Sequence, residues 1–196
     1  MRTYKVTLFG HSYIRDLHSL DNKQLLVDQD YKVELRYLFS PGATIAHYFS
    51  HEDSYECLFS DSPDVIFIFL GGNDLRVDWD IHDTITKYKT LVQNISLRLP
   101  KTAIICAYIE PRFAPANLRF NTPDPLEYKA LARKFNNWLQ RWNVPYRKFL
   151  TWGSNRLENP NLFKPDLVHL NESGLILFWN LFEDLLLKVI ESYFNH

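Results

Sequence analysis

The chain has 196 residues, 46% of them hydrophobic and 23% charged, with a formal net charge of −1. This is ordinary globular composition, enough for one domain over residues 1–196 to bury a core without staples. No basic block offers a phosphate-tracking surface, so direct nucleic-acid binding is not expected. No apolar run approaches the roughly 18 residues of a membrane span, and no signal-peptide stretch opens the sequence, so an intracellular, cytoplasmic location is expected.

In chain order, residues 4–9 (YKVTLF) predict a first strand, followed by a helix over 13–20. Residues 32–39 (KVELRYLF) alternate polar and apolar side chains as a second strand, and a helix follows over 44–59. Residues 64–70 (DVIFIFL) are almost continuously apolar, the pattern of a strand covered on both faces. A helix over 80–99 carries Ile81, Ile85, Tyr88, Leu91, Val92, Ile95 and Leu99 near a 3.6-residue period, and Pro100 stops it. Residues 102–108 (TAIICAY) predict a fourth strand that contains Cys106; with Cys57 as its only companion, neither a disulfide framework nor a zinc ligand set is indicated. The longest predicted loop covers 114–125 and reads either as a substrate-facing lid or as a surface connection. A helix over 126–142 follows, then a weaker fifth strand over 144–150, whose Pro145 favours a sheet edge. The last helix covers 174–194, with Asn171 and Ser173 as candidate caps.

Strands alternating with helices predict an α/β fold. The expected architecture is a three-layer α/β/α sandwich around a flavodoxin-like parallel sheet of about five strands, in the order 2-1-3-4-5. Ligands in such sheets bind beyond the carboxyl ends of the strands, where strand order reverses. The residues just past those ends are Gly10-His11-Ser12, Ser40-Pro41-Gly42 and Gly71-Gly72-Asn73-Asp74, with Asp166 and His169 ahead of the last helix. In the order 2-1-3, Ser12 is flanked by Gly42 and Asn73. A serine hydroxyl needs a base to become a nucleophile. His169 can supply one, and Asp166, three residues earlier, can orient it. The backbone N–H groups of Ser12 and Gly42 and the Asn73 amide are candidate donors to a developing oxyanion.

These four blocks, in this order, resemble those of the SGNH, or GDSL-type, hydrolases: Gly10-His11-Ser12, Gly42, Gly71-Gly72-Asn73-Asp74 and Asp166 to His169. The style of the segments is also similar to the platelet-activating-factor acetylhydrolase-like branch and to esterase domains of some non-LTR retrotransposons. The resemblance implies Ser12, His169 and Asp166 as catalytic residues, and Ser12, Gly42 and Asn73 as the oxyanion hole. It implies no metal and no cofactor, and a small-molecule or lipid ester as substrate. The sequence departs from the family pattern at two places: His11 stands where an Asp usually precedes the nucleophile, and Tyr13 where a Leu usually follows it.

Each residue also has a plain reading. Ser12 alone suits a helix N-cap, Pro41-Gly42 an ordinary turn, and Asp166 with His169 a surface turn. His47 and His51 stand four apart, but no Glu follows His47 and no third ligand is evident, so zinc is disfavoured. Arg112, in Glu110-Pro111-Arg112, is more simply one half of a structural ion pair than a substrate contact. Phe113 and Phe120 wall an acyl pocket or form satellite core. The expected activity is carboxylic ester hydrolysis through an acyl-enzyme on Ser12. The alternatives are a catalytically weak module that binds or scaffolds, and a carbohydrate O-deacetylase.

Overall fold

The computed structural model describes residues 2–20, 31–114, 123–142 and 149–194. Five parallel strands form one sheet in the order β2-β1-β3-β4-β5. They are β1 (Arg2–Gly10), β2 (Tyr31–Phe39), β3 (Val65–Phe69), β4 (Ala103–Ala107) and β5 (Phe149–Trp152). The helices are α1 (Ser12–His18), α2 (Ile45–Ser50), α3 (Glu52–Glu56), α4 (Ile81–Arg98), α5 (Pro125–Arg141) and α6 (Glu172–Phe194). No helix among the described residues is long and apolar enough to cross a membrane.

The period-2 alternation of strand side chains sorts them onto two faces. On one face Val6, Leu8, Phe67, Phe69 and Ile105 pack with α1 and α6, through Ile14, Leu17, Phe178, Phe182 and Leu186. On the other, Phe9, Ile66, Ile68, Ile104 and Cys106 pack with the remaining helices, through Ile45, Tyr48, Leu91, Ile95 and Phe135. β3 is buried at all five positions, which is why its sequence reads as unbroken apolar residues. Phe67 sits edge-on to Trp152, Phe178 and Phe182, tying the sheet to α6.

The predicted helix over 44–59 is broken into α2, α3 and a short 3₁₀ turn, Cys57–Phe59. The break falls at His51, whose backbone leaves the helical region at φ −119° and ψ 77°. Ser50 Oγ donates to the Ala46 carbonyl, and His51 Nδ1 lies 2.8 Å from the His47 carbonyl. Side chains thus take up acceptors at the end of α2. The fifth strand lies at the sheet edge, and its described residues, Phe149–Trp152, end later than expected. Residues 143–148, with Pro145, lie outside the described residues. Asn171 caps α6, its Oδ1 accepting the Gly174 N–H, while Ser173 is already inside the helix.

Gly10 closes β1 in close contact with β3 and α1. A Cβ there would lie 2.5 Å from the Phe69 carbonyl oxygen and 2.8 Å from Ile14 Cγ1. Its own carbonyl accepts the Tyr48 hydroxyl and the Ser40 N–H. Gly10→Ala therefore forces β1, β3 and α1 apart. A loss of about 1–3 kcal/mol is expected, read as a lower urea midpoint at unchanged slope.

Candidate active site

Gly10 pairs with Phe39 of β2 on one side and Phe69 of β3 on the other. The three strands therefore end at one level, and the segments beginning at His11, Ser40 and Leu70 leave from the same edge. His11 occupies the cap position of α1, and Ser12 is its first helical residue, so Ser12 is not the N-cap. Its Oγ lies 3.1 Å from His169 Nε2. The other ring nitrogen, Nδ1, lies 2.8 Å from Asp166 Oδ2.

A tight turn makes the second contact possible. Asp166 Oδ1 accepts the N–H groups of Val168 and His169, each at 2.9 Å, which leaves Oδ2 for the imidazole. Burial would raise the Asp166 pKa, but hydrogen bonds from the His169 backbone, the His169 ring and Val168 outweigh it and hold the carboxyl below the usual range. Leu167, inside this turn, has φ +54°, a left-handed conformation that costs a non-glycine residue of order 1–3 kcal/mol. Neighbouring elements hold it there. The Tyr13 hydroxyl donates to the Val168 carbonyl at 2.7 Å, and the Phe113 N–H donates to the Leu167 carbonyl at 2.9 Å.

Gly42 lies exposed at φ +76°, with nothing within 4 Å of where a Cβ would stand. Glycine is needed here for the backbone rather than for space. Asn73 Nδ2 donates to the Ala43 carbonyl at 3.0 Å, joining the β2 and β3 exits. Beside it Asp74 is fully buried, and both its oxygens accept the Ile45 N–H at 3.1 Å. Burial pushes its pKa up to about 7, against the pull of that hydrogen bond.

One residue behaves differently from the sequence reading. Where an ion pair was expected of Arg112, no carboxylate lies within 4 Å of it among the described residues. Its guanidinium donates to Asn73 Oδ1 at 2.8 Å and sits 4.6 Å from the centre of the Tyr128 ring. His11 is not the imidazole that meets Ser12. It is buried, and burial, then Arg112, then His169 lower its pKa to about 3, so it is neutral near pH 7. Phe113 packs edge-on to Phe163, whereas Phe120 and most of the 114–125 loop lie outside the described residues. The His47 and His51 rings stack 4.0 Å apart, and no group of three possible metal ligands occurs among the described residues.

A family model described as the GDSL-like lipase/acylhydrolase family matches residues 26–175. The chain belongs to that family. The matched span includes Gly42, Asn73, Asp166 and His169 but begins after Ser12. A search of curated proteins finds no match. Among solved structures, a carbohydrate esterase of family 3 from Talaromyces cellulolyticus is 14% identical with a TM-score of 0.66, covering 96% of this chain and 99% of that one. A serine-to-alanine mutant of an acetyl esterase, solved with acetate ion, is 14% identical at TM-score 0.68, with the same coverage of 96% and 99%. The esterase EstA from Pseudoalteromonas sp., inhibited by monoethylphosphonate, is 14% identical at TM-score 0.61, again covering 96% and 99%. At such identity these likenesses establish a shared fold, that of the SGNH hydrolases.

Several residues of this GDSL-family site were not legible in the sequence. The Arg112 contact with Asn73 and the Tyr13 contact with Val168 are long-range, and no local spacing encodes them. Position alone was a clue, since Arg112 follows β4 at the same edge as the other blocks. Beside Arg112, Glu110 is buried and its Oε1 has no partner among the described residues. Burial raises its pKa to about 8, with Glu158 adding to the effect. The unfolded chain releases this proton near the ordinary value of 4.5, whereas the folded chain keeps it to about pH 8. The stability it contributes is therefore present below that lower value and is lost as pH rises through the higher one. Glu110→Gln carries no such proton. Urea unfolding between pH 5 and 8 should show the wild type losing stability more steeply than the variant.

Proposed function

We propose that this chain is a serine esterase of the GDSL family, cleaving small carboxylic esters through an acyl-enzyme on Ser12. The observation that carries the reading is the series of contacts from Ser12 Oγ to His169 Nε2, at 3.1 Å, and from His169 Nδ1 to Asp166 Oδ2, at 2.8 Å. Both distances lie within reach of proton transfer and orientation. Ser12 O–H gives its proton to Nε2 as Oγ adds to the acyl carbonyl carbon. The resulting imidazolium is stabilised by the Asp166 carboxylate, which also holds the Nδ1–H tautomer. The tetrahedral oxyanion is received by the Ser12 and Gly42 N–H groups and the Asn73 amide. The C–O bond then breaks, the imidazolium protonates the departing alcohol, and water repeats the sequence to release the acid.

Short acyl esters are the probe of choice. Wild type should hydrolyse p-nitrophenyl acetate and take up a fluorophosphonate label. Ser12→Ala should lose the label and drop in kcat by about 10⁴-fold or more. A Ser12→Ala variant as fast as wild type defeats the proposal. A folded wild type that neither labels nor hydrolyses points instead to a binding or scaffolding module. A second reading, carbohydrate O-deacetylation, draws on the fold shared with a carbohydrate esterase and with the acetyl xylan esterase AlAXEase, which is 19% identical at TM-score 0.61. Acetate release from acetylated xylan, exceeding that from p-nitrophenyl acetate, is the result that selects it.

A further inference from the structure

We infer that Arg112 is a positioning residue that fixes which way the Asn73 carboxamide faces during ester hydrolysis; the inference rests on the function proposed above. A carboxamide can sit in either of two orientations that exchange its oxygen and its NH₂ group. Only one presents N–H to an oxyanion. A guanidinium has donors and no acceptor, so Arg112, at 2.8 Å, accepts only the orientation with Oδ1 toward it. The Ala43 carbonyl has an acceptor and no donor, so at 3.0 Å it selects the same orientation from the other side. The Ala43 bond uses one of the two Nδ2 hydrogens. The second is left for a substrate oxygen, and Asn73 is itself only partly buried.

Arg112 is suited to this task because it is itself held in place. It is 7% exposed, lies over the Tyr128 ring, and faces no carboxylate within salt-bridge reach among the described residues. A Cβ on Gly72 would stand in ordinary contact, 3.5 Å, with the guanidinium and with His11 Nε2, and tight, at 3.1 Å, against the Tyr128 hydroxyl, so the three side chains close on one backbone position. The position next to the nucleophile that usually holds an Asp in the family holds a histidine in this chain. A cation behind the carboxamide oxygen also polarises the amide, strengthening its remaining N–H as a donor.

Kinetics on p-nitrophenyl acetate and rates of fluorophosphonate labelling test this in Arg112→Met, Arg112→Lys, Asn73→Ala, Asn73→Asp and the Arg112→Met/Asn73→Ala double variant. Asn73→Ala should lower kcat about 10²–10³-fold. Arg112→Met should lower it about tenfold or more with KM within about twofold, and Arg112→Lys, which keeps a charged donor, should recover part of that. In the Asn73→Ala background, Arg112→Met should cost less than about threefold, because nothing remains to be positioned. Equal losses in both backgrounds mark a merely structural arginine and overturn the inference, as does wild-type kcat in Arg112→Met. Should Arg112→Met fail to fold, Asn73→Asp decides. It keeps a partner for Arg112 but has no N–H, so kcat should fall as in Asn73→Ala while the unfolding temperature holds; unchanged kcat overturns the inference. A silent Asn73→Ala with an inactive Ser12→Ala sinks the positioning idea alone. An active Ser12→Ala sinks the esterase reading beneath it.

Discussion

Everything at the candidate site depends on β1 being hydrogen-bonded to β2 and β3 in parallel register, with Gly10 opposite both Phe39 and Phe69. Parallel strands point their carboxyl ends the same way, and here three of them stop within one residue of each other. The chain leaving each must then turn at the same edge of the sheet. This is how residues 12, 42 and 73, far apart in sequence, come to follow strands that end at the same edge. The register in turn depends on a glycine. At position 10 the Phe69 carbonyl approaches to where a side chain would begin, and the Tyr48 hydroxyl binds the Gly10 carbonyl from α2. A larger residue there would displace the two strands that frame Ser12.

The imidazole arrives by a different route, on a turn instead of a strand end. Loops are ordinarily less precise platforms than strands. This one is over-determined. Asp166 folds back on two N–H groups, Phe163 and Leu170 bridge as an isolated antiparallel pair, and Lys164 N–H donates to the His169 carbonyl. Tyr13 from α1 and Phe113 from beyond β4 each bind a carbonyl inside the turn. Those contacts stabilise the left-handed Leu167. They also explain the tyrosine that follows Ser12: its ring stacks on Phe69 while its hydroxyl reaches Val168, so one side chain spans from the β3 end to the turn that carries His169.

Strand order and the residues at strand ends were legible in the sequence because both follow from short-range pattern. Continuous apolar runs mark covered strands, and alternation with helices restricts how they can be wound. The blocks at residues 10–12, 42, 71–74 and 166–169 could be read because glycines and small polar residues interrupt otherwise apolar runs. The break of the second helix at His51 could not, since side-chain competition for carbonyls in the last turn leaves the apolar period intact. Nor could the fate of Arg112. Its neighbour Glu110 invites an ion pair, but the fold turns the arginine toward Asn73, 39 residues away in sequence. Asp74 was visible as part of a block, yet its burial and its hold on the Ile45 N–H are products of tertiary packing.

The electrostatics behind the strand ends have a sign. At pH 7 a buried histidine with a pKa near 3 is neutral, and a buried glutamate with a pKa near 8 is mostly protonated. Arg112 thus carries its charge next to a histidine held neutral by burial, with Arg112 and His169 adding to the effect, and two residues after a glutamate held mostly protonated by burial. An aspartate at position 11 would reverse this, because a carboxylate beside Gly72 would compete with Asn73 for the guanidinium. With histidine there, the cation has an amide oxygen and an aromatic face as partners, and neither neutralises it.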